Sequence, residues 1–176
     1  MEALGRRLAR GDQASFAELY DLCAARCHHY LATVFGSRDV ADDVLQDTFL
    51  RLVQNRLRLA RVDDPVAYVF IVARNEAMRT LRRLFRARKK RPDVCLDSFF
   101  ADRISEDISR REMAELVWRA LLELAPEQKE VVELKIYSGL TFRQIAEITG
   151  VPLPTAATRF RAALERLRTK LARQLQ

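Results

Sequence analysis

Glycine and proline are scarce in this chain, with five of each in 176 residues. Residues that break regular structure are therefore few. No run of alternating β-branched residues appears either, which excludes a strand-rich architecture and leaves an all-α class. Cysteines number three, Cys23, Cys27 and Cys95. An odd count excludes a complete disulfide framework and fits reduced thiols. No stretch approaches the roughly 20 apolar residues of a membrane span. The opening "MEALGRRLARGDQ" lacks the apolar centre of a secretory signal. No glycine-rich phosphate loop occurs, which removes the common nucleotide-binding chemistry. Histidines number two. Cys23, Cys27 and His28 lie close together, but a closed zinc site needs four ligands, and only His29 and the distant Cys95 remain. Cys23 and Cys27 fall on an apolar helical stripe and read as buried structural thiols. Nothing points to a catalytic residue, a metal or a cofactor.

What the chain does have is charge, and an excess of one sign. Charged residues make up 31% and hydrophobic residues 49%, with a formal net charge of +7. That hydrophobic share supports folded domains rather than long disorder. The basic excess points to nucleic acid or another polyanion. The spacing predicts a first helix over about Asp12 to Val34, with Phe16, Leu19, Tyr20, Cys23, Cys27 and Leu31 on its apolar side. "FGSRD" ends it, and Ser37 is placed to cap a second helix running to about Asn55. Val40, Val44, Leu45, Phe49, Leu52 and Val53 form that helix's stripe. "RLRLARVDD" reads as a loop. Asp64 and Pro65 then open a third helix.

Helical periodicity fails from Ala87 to about Ser105, around Pro92. This divides the chain into a domain over 1–88, a linker over 89–105 and a domain over 106–176. Four helices are expected in the second domain: about Glu106 to Leu124, Pro126 to near Gly139, a short one capped by Thr141 with Gln144, and a long one from near Pro154. The last two, with Gly150 at the turn, form a helix-turn-helix. On the final helix Ala156, Phe160, Ala163, Leu164, Leu167 and Leu171 define a buried face. The other side presents Thr155, Thr158, Arg159, Ala162 and Arg166, with Arg161 on the flank. Threonine and arginine at the start of such a helix can bond phosphates and base edges in a major groove. A plain helical hairpin with a solvated basic side is the alternative.

Two other helices carry chemistry. "SRDVADDVLQDTFLRL" sets Asp39, Asp42, Asp43, Gln46 and Asp47 on one exposed side. A metal site for phosphodiester chemistry would need partner ligands that the sequence does not supply. A contact for a second protein and a solvated face both remain open. The third helix runs a stripe of Tyr68, Ile71, Asn75, Arg79, Arg82 and Arg86, with Arg74 beside it. Eight basic residues and no acidic one lie between Arg79 and Arg91. Aromatic faces stack on unpaired bases and cations hold phosphates, so this stripe suits single-stranded nucleic acid. A packed helix with an exposed basic end is the plain reading.

Taken together, the chain resembles the extracytoplasmic-function (ECF) group of bacterial RNA polymerase sigma factors over nearly its whole length. "DQASFAELYDLC" is similar to the start of the family's region two. "VADDVLQDTFLRL" resembles its acidic polymerase-binding helix. "DDPVAYVFIVARNEAMRTLRR" resembles its promoter-melting helix, of pattern "W-L-x-x-I-A-R-N…D…R-R". "LLELAPEQKEVVELKIYSGLTFRQIAEITGVPLPTAATRFRAALERLR" resembles region four. The resemblance implies a cytoplasmic, non-enzymatic initiation factor that binds core RNA polymerase through the clamp coiled coil and the flap. Asp39, Asp42, Asp43, Gln46 and Asp47 would face the clamp. Tyr68, Ile71, Arg74, Asn75, Arg79, Arg82 and Arg86 would hold the melted minus-ten element, with 56–64 walling a pocket for a flipped base. Arg143, Thr155, Thr158, Arg159, Arg161 and Arg166 would read the minus-thirty-five duplex. An anti-sigma partner is common in the family, and nothing in the sequence identifies one. Three positions depart from the family pattern. Tyr68 stands for its tryptophan, Arg79 for its aspartate, and Ala157 and Ala162 for basic residues of the reading helix. A stand-alone helix-turn-helix regulator is the rival reading.

Overall fold

The computed structural model describes residues 4–88, 116–117, 119–121 and 123–174. No strand occurs among them. The chain divides into two compact units, residues 1–97 and 98–176.

The first unit is built on three long helices. Asp12 caps α2 (Gln13–Phe35) by accepting a bond from the Ala14 N–H, and Gly36 ends it in the left-handed conformation at φ 62°. Only glycine enters that region without strain, which is why "FGS" stops the helix. Ser37 caps α3 (Arg38–Gln54) through the Val40 N–H. The carboxylate of Asp64 accepts from the Ala67 N–H at 3.0 Å and opens α4 (Pro65–Arg88). All three pack against one another. Leu19, Cys27, Tyr30 and Leu31 of α2, Val44 and Leu52 of α3, and Val69, Phe70, Ala73 and Ala77 of α4 are buried. The Tyr30 and Phe70 rings meet at 6.1 Å.

Two features of this unit differ from expectation. A short helix, α1 (Leu4–Ala9), precedes α2. The segment expected as a loop is a 3-10 turn over Arg56–Arg61. The two explain each other, because α1 packs on that turn with Leu8 and Leu59 fully buried between them. Contact is so close at Gly5 that an added Cβ would overlap the Leu59 carbonyl oxygen. Three side chains expected in the core are not fully covered: Tyr20 and Val53 are exposed, and Phe49 is half-buried against the Tyr20 ring at 4.9 Å.

In the second unit residues 116–117 and 119–121 are helical, followed by α5 (Pro126–Val132), α6 (Phe142–Thr149) and α7 (Leu153–Gln174). After α5 the chain widens into a π turn over Glu133–Tyr137, which the Ser138 N–H closes on the Glu133 carbonyl. The expected helix to Gly139 is thus α-helical only in its first half. Leu121, Leu124, Val132 and Ala163 form a core, with Val117, Phe160 and Leu167 against it. Leu164, expected on the buried face of α7, is exposed. The expected linker, most of the helix from Glu106, and Cys95 lie outside the described residues.

Candidate polymerase and nucleic-acid interfaces

Helix α3 sorts its residues by face. Ala41, Val44, Leu45, Thr48 and Leu52 are buried, while Asp39, Asp42, Asp43, Gln46 and Asp47 are all exposed. The five predicted polar residues therefore share one solvent-facing side. Asp42 is also tied across to α2, where His28 Nε2 lies 3.0 Å from its Oδ1. Leu50, Val53 and Leu57 are exposed further along the chain, at three- and four-residue steps from Gln46. The surface thus grades from carboxylates to apolar side chains, and the Val53 position missed by the sequence reading belongs to it.

On α4 the predicted stripe lies away from the core. Tyr68, Ile71 and Arg74 are half-buried, and Asn75, Arg79, Arg82 and Arg86 are exposed. Tyr68, Asn75 and Arg79 line a concavity of about 320 Å³, together with Arg51 and Leu52 of α3, Asn55, and Arg58 of the 3-10 turn. Ile71, Arg74, Arg82 and Arg86 are not among its lining residues. Glu76 forms part of the floor and is only 7% exposed. Its Oε1 lies 2.5 Å from Arg51 Nε and 2.7 Å from Arg79 Nη1. A buried carboxylate needs such partners, since desolvation without them is costly. Sequence reasoning missed Arg51, Asn55, Arg58 and Glu76. One signal was present: Glu76 is the sole acid on a helix with six arginines. The acid that the sigma pattern sets at position 79 stands three residues earlier here, one turn back on the same helix.

The helix-turn-helix is organised by its backbone. Thr141 and Gln144 form a reciprocal capping box, with Gln144 Oε1 accepting from the Thr141 N–H at 2.7 Å. Gly150 ends α6 at φ 71°. Ile145, Ile148 and Ala156 are buried at the junction, and the Phe142 and Phe160 rings meet edge-on at 5.5 Å. On α7 Thr158 and Arg161 are exposed, and Thr155 and Arg159 are half-buried. Arg143 is exposed on α6. Arg166 lies about 16 Å along the helix from Thr155, and its Nη1 donates to Gln128 Oε1 on α5 at 3.0 Å. The predicted set is therefore one cluster in the first turns of α7, plus Arg143 and a more distant, tethered Arg166.

Cys23 and Cys27 are buried, and Cys23 Sγ lies 3.0 Å from the Leu19 carbonyl it donates to. Burial pushes the Cys23 thiol up to about 11 and Cys27 higher still, so both stay protonated. They pack and do not react.

Comparison with known proteins agrees with this division. The model of Sigma-70 region 2 matches residues 19–87, and that of Sigma-70 region 4 matches 114–167. The chain is 30% identical to the ECF RNA polymerase sigma factor RpoE of Cereibacter sphaeroides, over 92% of this chain and 88% of that one. It is 29% identical to the RNA polymerase sigma factor CarQ of Myxococcus xanthus, over 94% of each. Among solved structures it is similar to the sigma factor RpoE of Bartonella quintana in complex with the anti-sigma factor NepR. That match has a TM-score of 0.71 at 24% identity, over 89% of this chain and 95% of that one. It is also similar to CnrH in complex with the cytosolic domain of CnrY, with a TM-score of 0.66 at 22% identity, over 96% and 95%.

Proposed function

We propose a division of labour for this chain, which belongs to the ECF group of bacterial RNA polymerase sigma factors. As a sigma factor it is a non-enzymatic initiation factor whose partners are RNA polymerase and promoter DNA, and it acts with the polymerase in the cytoplasm. The first unit docks on the polymerase clamp and holds the minus-ten element as melted single strand. The second reads the minus-thirty-five element as duplex.

The observation that carries this reading is the concavity between α3, the 3-10 turn and α4. It places the Tyr68 ring, the Asn75 amide and three guanidiniums around one space. Extruding a base costs a few kcal/mol, which stacking and phosphate contacts must offset. Tyr68 supplies a ring face, and Arg82 and Arg86 continue the positive track along α4. Docking on the clamp is supported by the exposed carboxylates of α3 and the apolar Leu50, Val53 and Leu57 beyond them. A charged rim that grades into an apolar centre is common in protein interfaces. The flap contact rests on the family resemblance, with the exposed Ile136 and Tyr137 as apolar surface on the second unit. For duplex reading, Thr155, Thr158, Arg159 and Arg161 occupy the part of α7 that enters the groove in this motif. Both structural neighbours above were solved with an anti-sigma factor or a cytosolic partner domain. An anti-sigma partner for this chain follows as part of the proposal.

The test is transcription in vitro with purified core polymerase on a pool of random promoters. Start sites that depend on the added protein are expected, with two enriched elements upstream. A stand-alone regulator would instead bind duplex tightly without polymerase and yield no dependent start site.

A further inference from the structure

We propose that the concavity beside α4 is a seat for an unpaired guanine, and that Glu76 is the positioning residue that makes it selective. This rests on the reading of α4 as the helix that holds melted promoter strand. Arg51, Arg58 and Arg79 line the space, and Glu76 is its one acidic lining residue. Glu76 Oε1 holds Arg51 through Nε and Arg79 through Nη1. Each of those bonds engages one nitrogen of a guanidinium that carries five N–H donors in a planar fork. The remaining donors of both forks stay at the rim, on side chains about half exposed, at 46% and 56%. The carboxylate thus removes rotamer freedom from two long side chains before any ligand arrives, and it joins α3 to α4 across the space.

A rim of fixed donors discriminates among bases. Guanine presents two adjacent acceptors, O6 and N7, which a guanidinium fork matches with two parallel bonds. Adenine and cytosine each set an amino donor beside an acceptor, so one N–H of the fork would face another N–H. Thymine offers O4 beside a methyl group and satisfies one arm only. The Tyr68 ring and the Asn75 amide line the same space, so stacking and a further polar contact are at hand. Substituting Glu76 leaves the arginines in place but frees their side chains. Selectivity should then fall more than overall binding.

The experiment uses holoenzyme assembled from core polymerase and the full chain. Transcripts are selected from promoters randomised across the minus-ten segment, with the wild type, Glu76→Gln and Arg79→Lys. The last keeps the charge but removes the fork, and it serves if Glu76→Gln fails to fold. The wild type should enrich guanine at one non-template position by roughly fivefold to a hundredfold, the range of a bidentate contact. Both variants should reduce that enrichment to under about threefold and leave the other positions within twofold. Enrichment of adenine, cytosine or thymine at the position the variants alter would overturn the base assignment. An equal fall at every position would reduce Glu76 to a structural residue and overturn its positioning role. A salt-sensitive loss of transcription with no change in base preference would place a backbone phosphate in the space instead. Dependent start sites with no base preference on the non-template strand would sink the melted-strand reading itself, a different failure from the wrong base.

Discussion

The two units set their polar groups by different means. In the first, side chains are held across elements: His28 of α2 reaches Asp42 of α3, and Glu76 of α4 holds Arg51 of α3 and Arg79 of its own helix. In the second, the candidate reading residues share one helix, and the backbone sets its direction through a capping box and a left-handed glycine. Among the described residues no ion pair holds Arg143, Arg159 or Arg161. The difference suits the proposed tasks. A pocket for an extruded base needs its groups fixed from several sides before the base arrives. A helix that enters a groove needs correct placement as a rigid body, and its side chains can adapt. The first unit should therefore respond to substitution as a network, and the second as a sum of parts.

The largest expected effect breaks the first unit's docking face. Reversing Asp42 and Asp43 to lysine should lower affinity for core polymerase by roughly a hundredfold or more, because like charges across an interface cost several kcal/mol. Both carboxylates are exposed, so the helical circular dichroism should not change. Unchanged affinity in a pull-down would remove α3 from the interface.

Next come two glycines that do different work. Gly5→Ala drives a methyl into the Leu59 carbonyl and must shift the 3-10 turn that carries Arg58. Overpacking of this kind costs about 1–3 kcal/mol. Gly150→Ala meets no atom within 4 Å, and only its φ of 71° opposes the change. Its cost is about 1–2 kcal/mol. Urea unfolding of each variant measures both. If both have equal effects on promoter opening, the 3-10 turn has no special link to the pocket.

A smaller effect addresses the comparison itself. A double-mutant cycle on Arg51→Ala and Arg79→Ala should show a coupling of about 0.5–1.5 kcal/mol in promoter opening, since both share one carboxylate. The same cycle on Arg143→Ala and Arg161→Ala should add to within about 0.5 kcal/mol in duplex binding. Equal coupling in the two units would erase the distinction.

Much of this fold was legible because its signals are local. Asp12, Ser37, Asp64 with Pro65, and Thr141 with Gln144 each cap a helix within four residues of themselves, and caps act through adjacent N–H groups. The exposure of Asp39, Asp42, Asp43, Gln46 and Asp47 was legible from the same helical period that buries Val44 and Leu52. What the sequence hid is non-local. Helix α1 has six residues, too few to be stable alone, and it exists because Leu8 docks on Leu59. The period also gives only a direction, not a neighbour. Val53 and Leu164 point along apolar stripes, yet no element covers them fully. Glu76 reads as an ordinary helix residue until Arg51, 25 positions earlier, comes beside it.

The central claim is that the first unit holds melted strand and the second holds duplex, and Asn75 tests it most directly. It is exposed on α4 at the edge of the concavity and far from any core packing role. Permanganate footprinting of holoenzyme carrying Asn75→Ala, with closed-complex binding measured alongside, separates opening from duplex recognition. The account predicts roughly tenfold weaker reactivity of unpaired thymines, the loss expected from one hydrogen bond in a desolvated site, with closed-complex affinity within twofold of wild type. A footprint identical to wild type, or an equal loss in both measurements, would contradict it.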